Sequence, residues 1–281
     1  MTEERKSIAV VAPARRLDDD VPEKVQALSA ATFGEHALRL DFHPQCFACH
    51  GHFAGDDQLR AEAFIQVAND PTYDAVWFAK GGYGSNRILD QVIAGLGAGA
   101  LNKAYLGYSD LGFLLGALYR AGVDHAGGGQ IAHGPMVSDI TREGGEAAII
   151  RVLTWLAAPS DLKAAPNPDG LPRAAFNITV LSHLVGSDHA PDLSGHVLYL
   201  EDVGEYEYRL DRALFHILTH PSMAQLAGVR LGRVSHVPEN DVPFGVSPEE
   251  IVRHWCAQAG IAFLGNADIG HDSDNAIIAF G

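Results

Sequence analysis

Four short stretches of this sequence carry side chains whose types and spacing can do chemistry. The first is Tyr105-Leu-Gly-Tyr-Ser109-Asp-Leu-Gly112, where an apolar strand runs into Ser109 and a helix leaves it. A serine at such a turn presents its hydroxyl outward from the sheet, and Gly107 gives the turn room. The free N–H groups of the following helix point at the same place, so the backbone N–H of Asp110 can stabilise a developing oxyanion. Leu111 stands where a complete G-x-S-x-G elbow has its second glycine. A helix-capping serine after a strand fits the same residues.

The second stretch is Lys80-Gly-Gly-Tyr-Gly84, directly after a buried run. Paired glycines let backbone approach a ligand closely, and ligands bind at the C-terminal edge of a parallel sheet. Lys80, Gly81 and Tyr83 are the candidate contacts there, with a plain glycine turn as the alternative. The G-x-x-x-x-G-K-[ST] spacing of a phosphate loop is absent. Third, Leu198-Tyr-Leu-Glu201-Asp-Val203 ends an apolar strand in two acids. Such a carboxylate can orient a histidine and stabilise its charged form, or can simply meet solvent. Fourth, His271 follows Gly270 in a loop, where a neutral imidazole can serve as general base or be one more surface histidine among 14. Serine, acid and histidine occur in the chain order of other α/β serine hydrolases.

A further motif, Cys46-Phe-Ala-Cys49-His50, spells C-x-x-C-H. It reads as haem attachment, as a redox or metal site, or as a loop that holds two thiols; no second ligand cluster accompanies it. Three cysteines argue against a disulfide framework. The formal net charge of −15, without a Lys/Arg cluster, disfavours nucleic acid as a partner. No apolar run reaches the roughly eighteen residues of a membrane span. The charged start, Met1 to Lys6, lacks the features of a signal peptide, so a cytoplasmic location is expected.

These residues need a scaffold. Apolar runs and helical spacing predict strands over 7–12, 37–42, 75–79 and 104–108, alternating with helices over 21–33, 56–69, 85–96 and 110–119, with Ser85 as a cap. Alternation of this kind implies a parallel sheet covered on both faces. A long helix over 141–158 closes this part. The stretch 159–175 holds four prolines and few large apolar residues, so it reads as a linker. The expected organisation is 1–158 as an N-terminal α/β domain, 159–175 as linker and 176–281 as a C-terminal domain. In the latter, strands are expected over 196–203, 229–235, 261–264 and 276–280, with helices over 208–218 and 248–259.

Taken in order, the motifs resemble those of the LD-carboxypeptidases and the related microcin-immunity serine peptidases, over nearly the whole chain. The matching residues are Val11-Ala-Pro13, Phe53-Ala-Gly-Asp56, Lys80-Gly-Gly-Tyr-Gly84, Gly107-Tyr-Ser-Asp110, His133-Gly-Pro135, Leu200-Glu-Asp-Val203 with Tyr208 and Arg212 beyond, and Gly270-His271. The resemblance implies an α/β fold with a mostly parallel, helix-flanked N-terminal sheet like that of class I glutamine amidotransferases, and a smaller, β-rich α+β C-terminal domain. It implies Ser109 as nucleophile, Glu201 as orienting acid, His271 as general base, and the N–H groups of Gly82 and Asp110 as oxyanion donors. It further implies a small peptide substrate, a murein tetrapeptide cut before its terminal D-alanine. No metal or organic cofactor is expected, and a homodimer is. Two positions depart from the family pattern. Lys80 stands where Arg is usual, which removes a bidentate fork, and Gly112 stands where Thr is usual. Hydrolysis of aminoacyl-adenylate mimics, peptide binding without catalysis, and a metal or redox role for Cys46 and Cys49 are the competing readings.

Overall fold

The computed structural model describes residues 5–34, 38–123, 129–157 and 164–281. The chain opens with β1 (Lys6–Val11), α1 (Val21–Phe33), β2 (Leu38–Phe42), α2 (Asp57–Asn69), β3 (Ala75–Phe78), α3 (Leu89–Gly95), β4 (Ala104–Gly107), α4 (Gly112–Arg120), β5 (Gln130–His133) and α5 (Gly145–Ala157). There follow β6 (Arg173–Asn177), α6 (Ile178–Leu184), β7 (Val197–Val203), α7 (Glu207–Thr219), β8 (Gly228–Ser235), α8 (Pro248–Ala259), β9 (Phe263–Asn266) and β10 (Ile278–Ala279).

The first sheet has the order β10-β5-β4-β3-β1-β2. All its strands run parallel except β10, which pairs antiparallel with β5. Every residue of β3, β4 and β5 is buried, as a sheet covered on both faces requires. Alternation along β3 sorts its side chains between two cores. Trp77 joins Leu106 and Trp155 beneath α1 and α5. Phe78 joins Phe64 of α2 and Leu114 of α4 on the opposite face.

That second core continues without a break into the other sheet, through Phe176 of β6, Leu181 of α6 and Leu200 of β7. The second sheet has the order β6-β7-β8-β9, with every neighbouring pair parallel. The smaller C-terminal part therefore combines strands with helices, and the expectation that strands dominate it gives way to a regular strand-helix alternation. The chain's end also returns to the first sheet. Phe280 N–H donates to Ile131 O (2.9 Å) and Gly281 N–H to Arg173 O (3.0 Å), so this segment stitches β5 to β6.

Helix ends follow local chemistry. Asp56 caps α2 by accepting from Leu59 N–H, and Ser247 and Glu250 form a capping box on α8 with Pro248 in its first turn. Other expectations shift. The helix expected over 85–96 begins as a 3-10 turn, Ser85–Ile88, and Ser85 does not cap it: its hydroxyl donates to Asp110 O at 2.6 Å. A 3-10 turn, Ser109–Leu111, likewise precedes α4. The helix expected over 141–158 starts only at Gly145; position 158 and the linker positions 159–163 lie outside the described residues. β6 begins at Arg173, inside the stretch expected as linker, and β5, β6 and α6 have no counterpart among the expected elements. Gly112 has a packing reason. A Cβ there would lie 3.1 Å from Val180 Cγ1 and 3.4 Å from Phe176 Cδ1, so the missing side chain lets α4 settle against α6 and β6.

Candidate active site

β4 leads into Ser109. It is paired on both sides, by β3 and β5, and Ser109 follows two residues after it with φ +59°. Among the described residues, His236 is the other non-glycine with positive φ. A left-handed serine between a central strand and a helical turn is a strained elbow held by its surroundings. The loop after β3 lies against it. A Cβ on Gly81 would sit 3.3 Å from both Cβ and Oγ of Ser109, so glycine at this position leaves the hydroxyl its space. Gly82 follows with φ +115°.

Asp110 joins the two loops. Its carboxylate accepts from Gly84 N–H (3.3 Å) and Ser85 N–H (2.9 Å), and it is buried. Burial pushes its pKa above the ordinary carboxylate value, against the opposing pull of those donors. Beneath the same loop, the buried Arg60 guanidinium donates to Gly84 O (2.8 Å) and to Pro13 O, and stacks over Phe53 at 4.7 Å.

Glu201 and His271 come from the other sheet and from the loop before β10. Glu201, fully buried on β7, accepts from His271 Nδ1–H at 2.5 Å. His271 Nε2 lies 3.0 Å from Ser109 Oγ. With the proton on Nδ1, Nε2 is free to accept the serine proton, so His271 links the other two side chains expected to cooperate. Among the described residues, Glu201 Oε1 has no hydrogen-bond partner.

His271 sits on a loop clamped by side chains. Arg142 donates to its carbonyl, to Asp139 Oδ1 (2.8 Å) and to Tyr108 OH (3.1 Å). Tyr108 in turn donates to Asp139 Oδ1 (3.2 Å), and its ring lies 4.9 Å from the His271 ring. Burial raises the pKa of both Tyr108 and Asp139. Arg151 donates to the carbonyls of Ser273 and Asn275. Asn275 Oδ1 accepts from Gly270 N–H (3.1 Å) and lies 3.3 Å from His133 Nε2. Complete burial pushes the His133 pKa down to about 4, which keeps that ring neutral near pH 7.

A cavity of about 380 Å³ opens beside Ser109, lined by Gly82, Tyr83, Asn86, Phe113, Asn177 and Glu205 among others. Its floor is fixed by Asp202, whose buried carboxylate accepts from Asn177 Nδ2 (2.8 Å), Thr179 N–H (3.0 Å) and Thr179 Oγ1 (2.9 Å). Of the expected contacts, Tyr83 lines this cavity and Gly81 backs the serine. Lys80 is turned elsewhere: its Nζ pairs with Asp18 Oδ2 at 3.0 Å, and it is not part of the cavity wall. Cys46 is buried, its thiol pushed up to about 12 by desolvation, while Cys49 is exposed. Among the described residues no group of His, Cys, Asp or Glu has a metal-holding arrangement, and no helix is long and apolar enough to cross a membrane.

The residues missed in the sequence are those of the support: Arg142, Asp139, Asn275, and the side chains of Asp110 and Asp202. Of these only Asp110 and Asp202 had a signal, by adjoining Ser109 and Glu201.

Comparison with known proteins places the chain in a family. Residues 8–128 match the LD-carboxypeptidase N-terminal domain, and residues 175–281 match the LD-carboxypeptidase C-terminal domain. A Synechocystis relative is 30% identical over 242 residues, covering 82% of this chain and 75% of its own. The murein tetrapeptide carboxypeptidase of Pseudomonas aeruginosa is 28% identical over 290 residues, covering 98% and 91%. Among solved structures, the muramoyltetrapeptide carboxypeptidase from Oxalobacter formigenes superposes with a TM-score of 0.78 at 24% identity, covering 97% of this chain and 93% of that one. The microcin C7 self immunity protein MccF, in complex with aspartyl sulfamoyl adenosine, gives 0.73 at 15%, covering 98% and 95%. At those identities the two structures speak for the fold alone.

Proposed function

Since the chain belongs to the LD-carboxypeptidase family, we propose that it hydrolyses the amide before the terminal D-alanine of a murein tetrapeptide, with Ser109, His271 and Glu201 as its catalytic triad. The observation that carries the proposal is the unbroken relay from Glu201 Oε2 through the His271 ring to Ser109 Oγ, at 2.5 and 3.0 Å.

In this reading Ser109 Oγ attacks the scissile carbonyl carbon while His271 Nε2 takes its proton. Glu201 holds the tautomer and offsets the imidazolium charge in a dry setting. Negative charge that develops on the carbonyl oxygen meets the N–H groups of Gly82 and Asp110, held together by the Asp110 carboxylate on the glycine loop. His271 returns the proton to the departing amine, D-alanine leaves, and an ester joins the acyl peptide to Ser109. Water, deprotonated by His271, then attacks that ester. The acyl peptide leaves with a new carboxylate, and the serine regains its proton.

Incubation with a tetrapeptide and mass detection of free D-alanine tests this. Ser109→Ala is expected to lower turnover by about 10⁴ to 10⁶. Undiminished D-alanine release by that variant would reject the assignment.

A further inference from the structure

A second concavity adjoins the one that holds the nucleophile. It measures about 560 Å³ and shares Thr179, His183 and Glu205 with the 380 Å³ cavity, so the two lie side by side along those residues. Its wall is cationic. Arg209, Arg212 and His216 lie at i, i+3 and i+7 on α7 and therefore share one face, over about 10 Å of helix. His183 of α6 faces them across the groove. The acid in this wall is Glu205, which touches Arg209 only at 3.4 Å. Arg212 makes no ion pair among the described residues; its guanidinium stands 5.2 Å over the ring of Tyr208. Neighbouring acids are occupied elsewhere: Asp211 accepts from Trp255 Nε1 (2.9 Å) and Glu207 from Asn240 Nδ2 (2.5 Å). The chain as a whole carries a net charge of −15, so this stripe beside Ser109 runs against its overall charge.

We propose that this groove binds the acyl side of a peptide substrate through its carboxylates, with Arg209 and Arg212 as the anion contacts. The inference rests on the carboxypeptidase reading. On the leaving side, that substrate has a single small residue, for which the inner cavity suffices. The acyl side is several residues long and carries free carboxylates in murein peptides, which matches a groove that runs outward from the serine. Two guanidiniums with little internal neutralisation select for negative charge there, and the planar fork of Arg suits a carboxylate. Uncharged peptides of the same length are then poorer substrates through KM.

The test compares a murein tetrapeptide whose acyl-side carboxylates are free with the same peptide amidated at those groups, on the intact protein and on Arg209→Gln/Arg212→Gln. Amidation is expected to raise KM about tenfold in the parent protein, and the double substitution to raise it about tenfold for the free acid only. The amidated peptide should feel the substitutions less than twofold. An equal rise for both peptides, or none for either, overturns the proposal. So does a third arm, amidation of the D-alanine carboxylate, if it alone abolishes the effect of the substitutions, because the groove would then read the leaving residue. Calorimetry with the free-acid peptide and Ser109→Ala protein, with and without the arginine substitutions, separates this from the activity. Arginine-dependent binding by a parent protein that releases no D-alanine would sink the carboxypeptidase reading and keep the groove. Turnover indifferent to the arginines would do the reverse. Thermal melts of each variant confirm that the comparison is between folded proteins.

Discussion

Ser109 and His271 meet at 3.0 Å, yet the protein holds them by different means. Ser109 is placed by backbone. β4 is hydrogen-bonded on both sides, and the left-handed φ of the serine is set by the strand before it and the helical turn after it. His271 lies on a stretch with no regular structure between β9 and β10. Backbone bonds from Arg233 N–H to Ile269 O (2.8 Å) and from Ala276 N–H to Asp268 O (2.9 Å) anchor that loop, and side chains that donate to its main chain fix the rest: Arg142 to His271 O, Arg151 to Ser273 O and Asn275 O. Arg233 adds ion pairs to Asp268 and Asp272 on the same loop. A backbone-defined position is shared by the whole sheet and resists single substitutions. A clamped position loses precision one bond at a time, and misplacement of about 1 Å costs catalysis heavily.

The contrast can be broken at its strongest point first. Glu201→Gln keeps the shape of the side chain but removes the charge beside His271, and should lower kcat by about 10³ to 10⁴ with little change in KM. A loss below tenfold would place the orienting acid elsewhere. Next, Arg142→Met removes the donors to His271 O and Tyr108 OH, and should lower kcat and slow fluorophosphonate labelling of Ser109 together, by about 10- to 100-fold. If kcat is unchanged, the loop needs no clamp and the comparison fails.

Stability sharpens the same contrast through pH. His133, behind the His271 loop, has a folded pKa of about 4, below the unfolded value of roughly 6.5. Between those values the unfolded chain binds more protons, so stability rises with pH across the window and is lost as pH falls through it, by about 3 kcal/mol in total. His133→Gln should flatten that slope in denaturant titrations between about pH 4.5 and 6.5, the interval bounded by its folded and unfolded pKa. An unaltered slope would mean that other groups carry it. Smaller again, Gly112→Thr adds a side chain that meets Val180 at the α4–α6 contact. It should destabilise by about 1–2 kcal/mol, with kcat retained. A more stable variant would show that α4 has room.

The difference between the two regions also explains what the sequence disclosed. Ser109, His271 and the acid pair Glu201-Asp202 were candidates because each follows a local signal, an apolar strand or a glycine, and because their chain order is that of other α/β serine hydrolases; the resemblance to the LD-carboxypeptidases singled out Glu201. α8 was legible to the residue, since its capping box and Pro248 are local. β5 and β6 were not. Gln130, His133, Arg173 and Asn177 occupy buried places on short strands, so polar residues hide the apolar pattern. Their burial is possible because distant partners satisfy them, such as Asn275 for His133 and Asp202 for Asn177. The Arg142 clamp spans 129 residues of chain, and Lys80 turns to Asp18, 62 residues away. Contacts at that separation are made by the fold, and no window along the chain contains both ends.

The relay itself is open to one direct measurement. A fluorophosphonate should modify the intact protein once, and mass mapping of the digested adduct should place the label on Ser109; His271→Ala should slow that labelling by about 10³-fold or more. A label on any other side chain, or labelling of Ser109 at the same rate without the imidazole, would contradict a serine activated by His271.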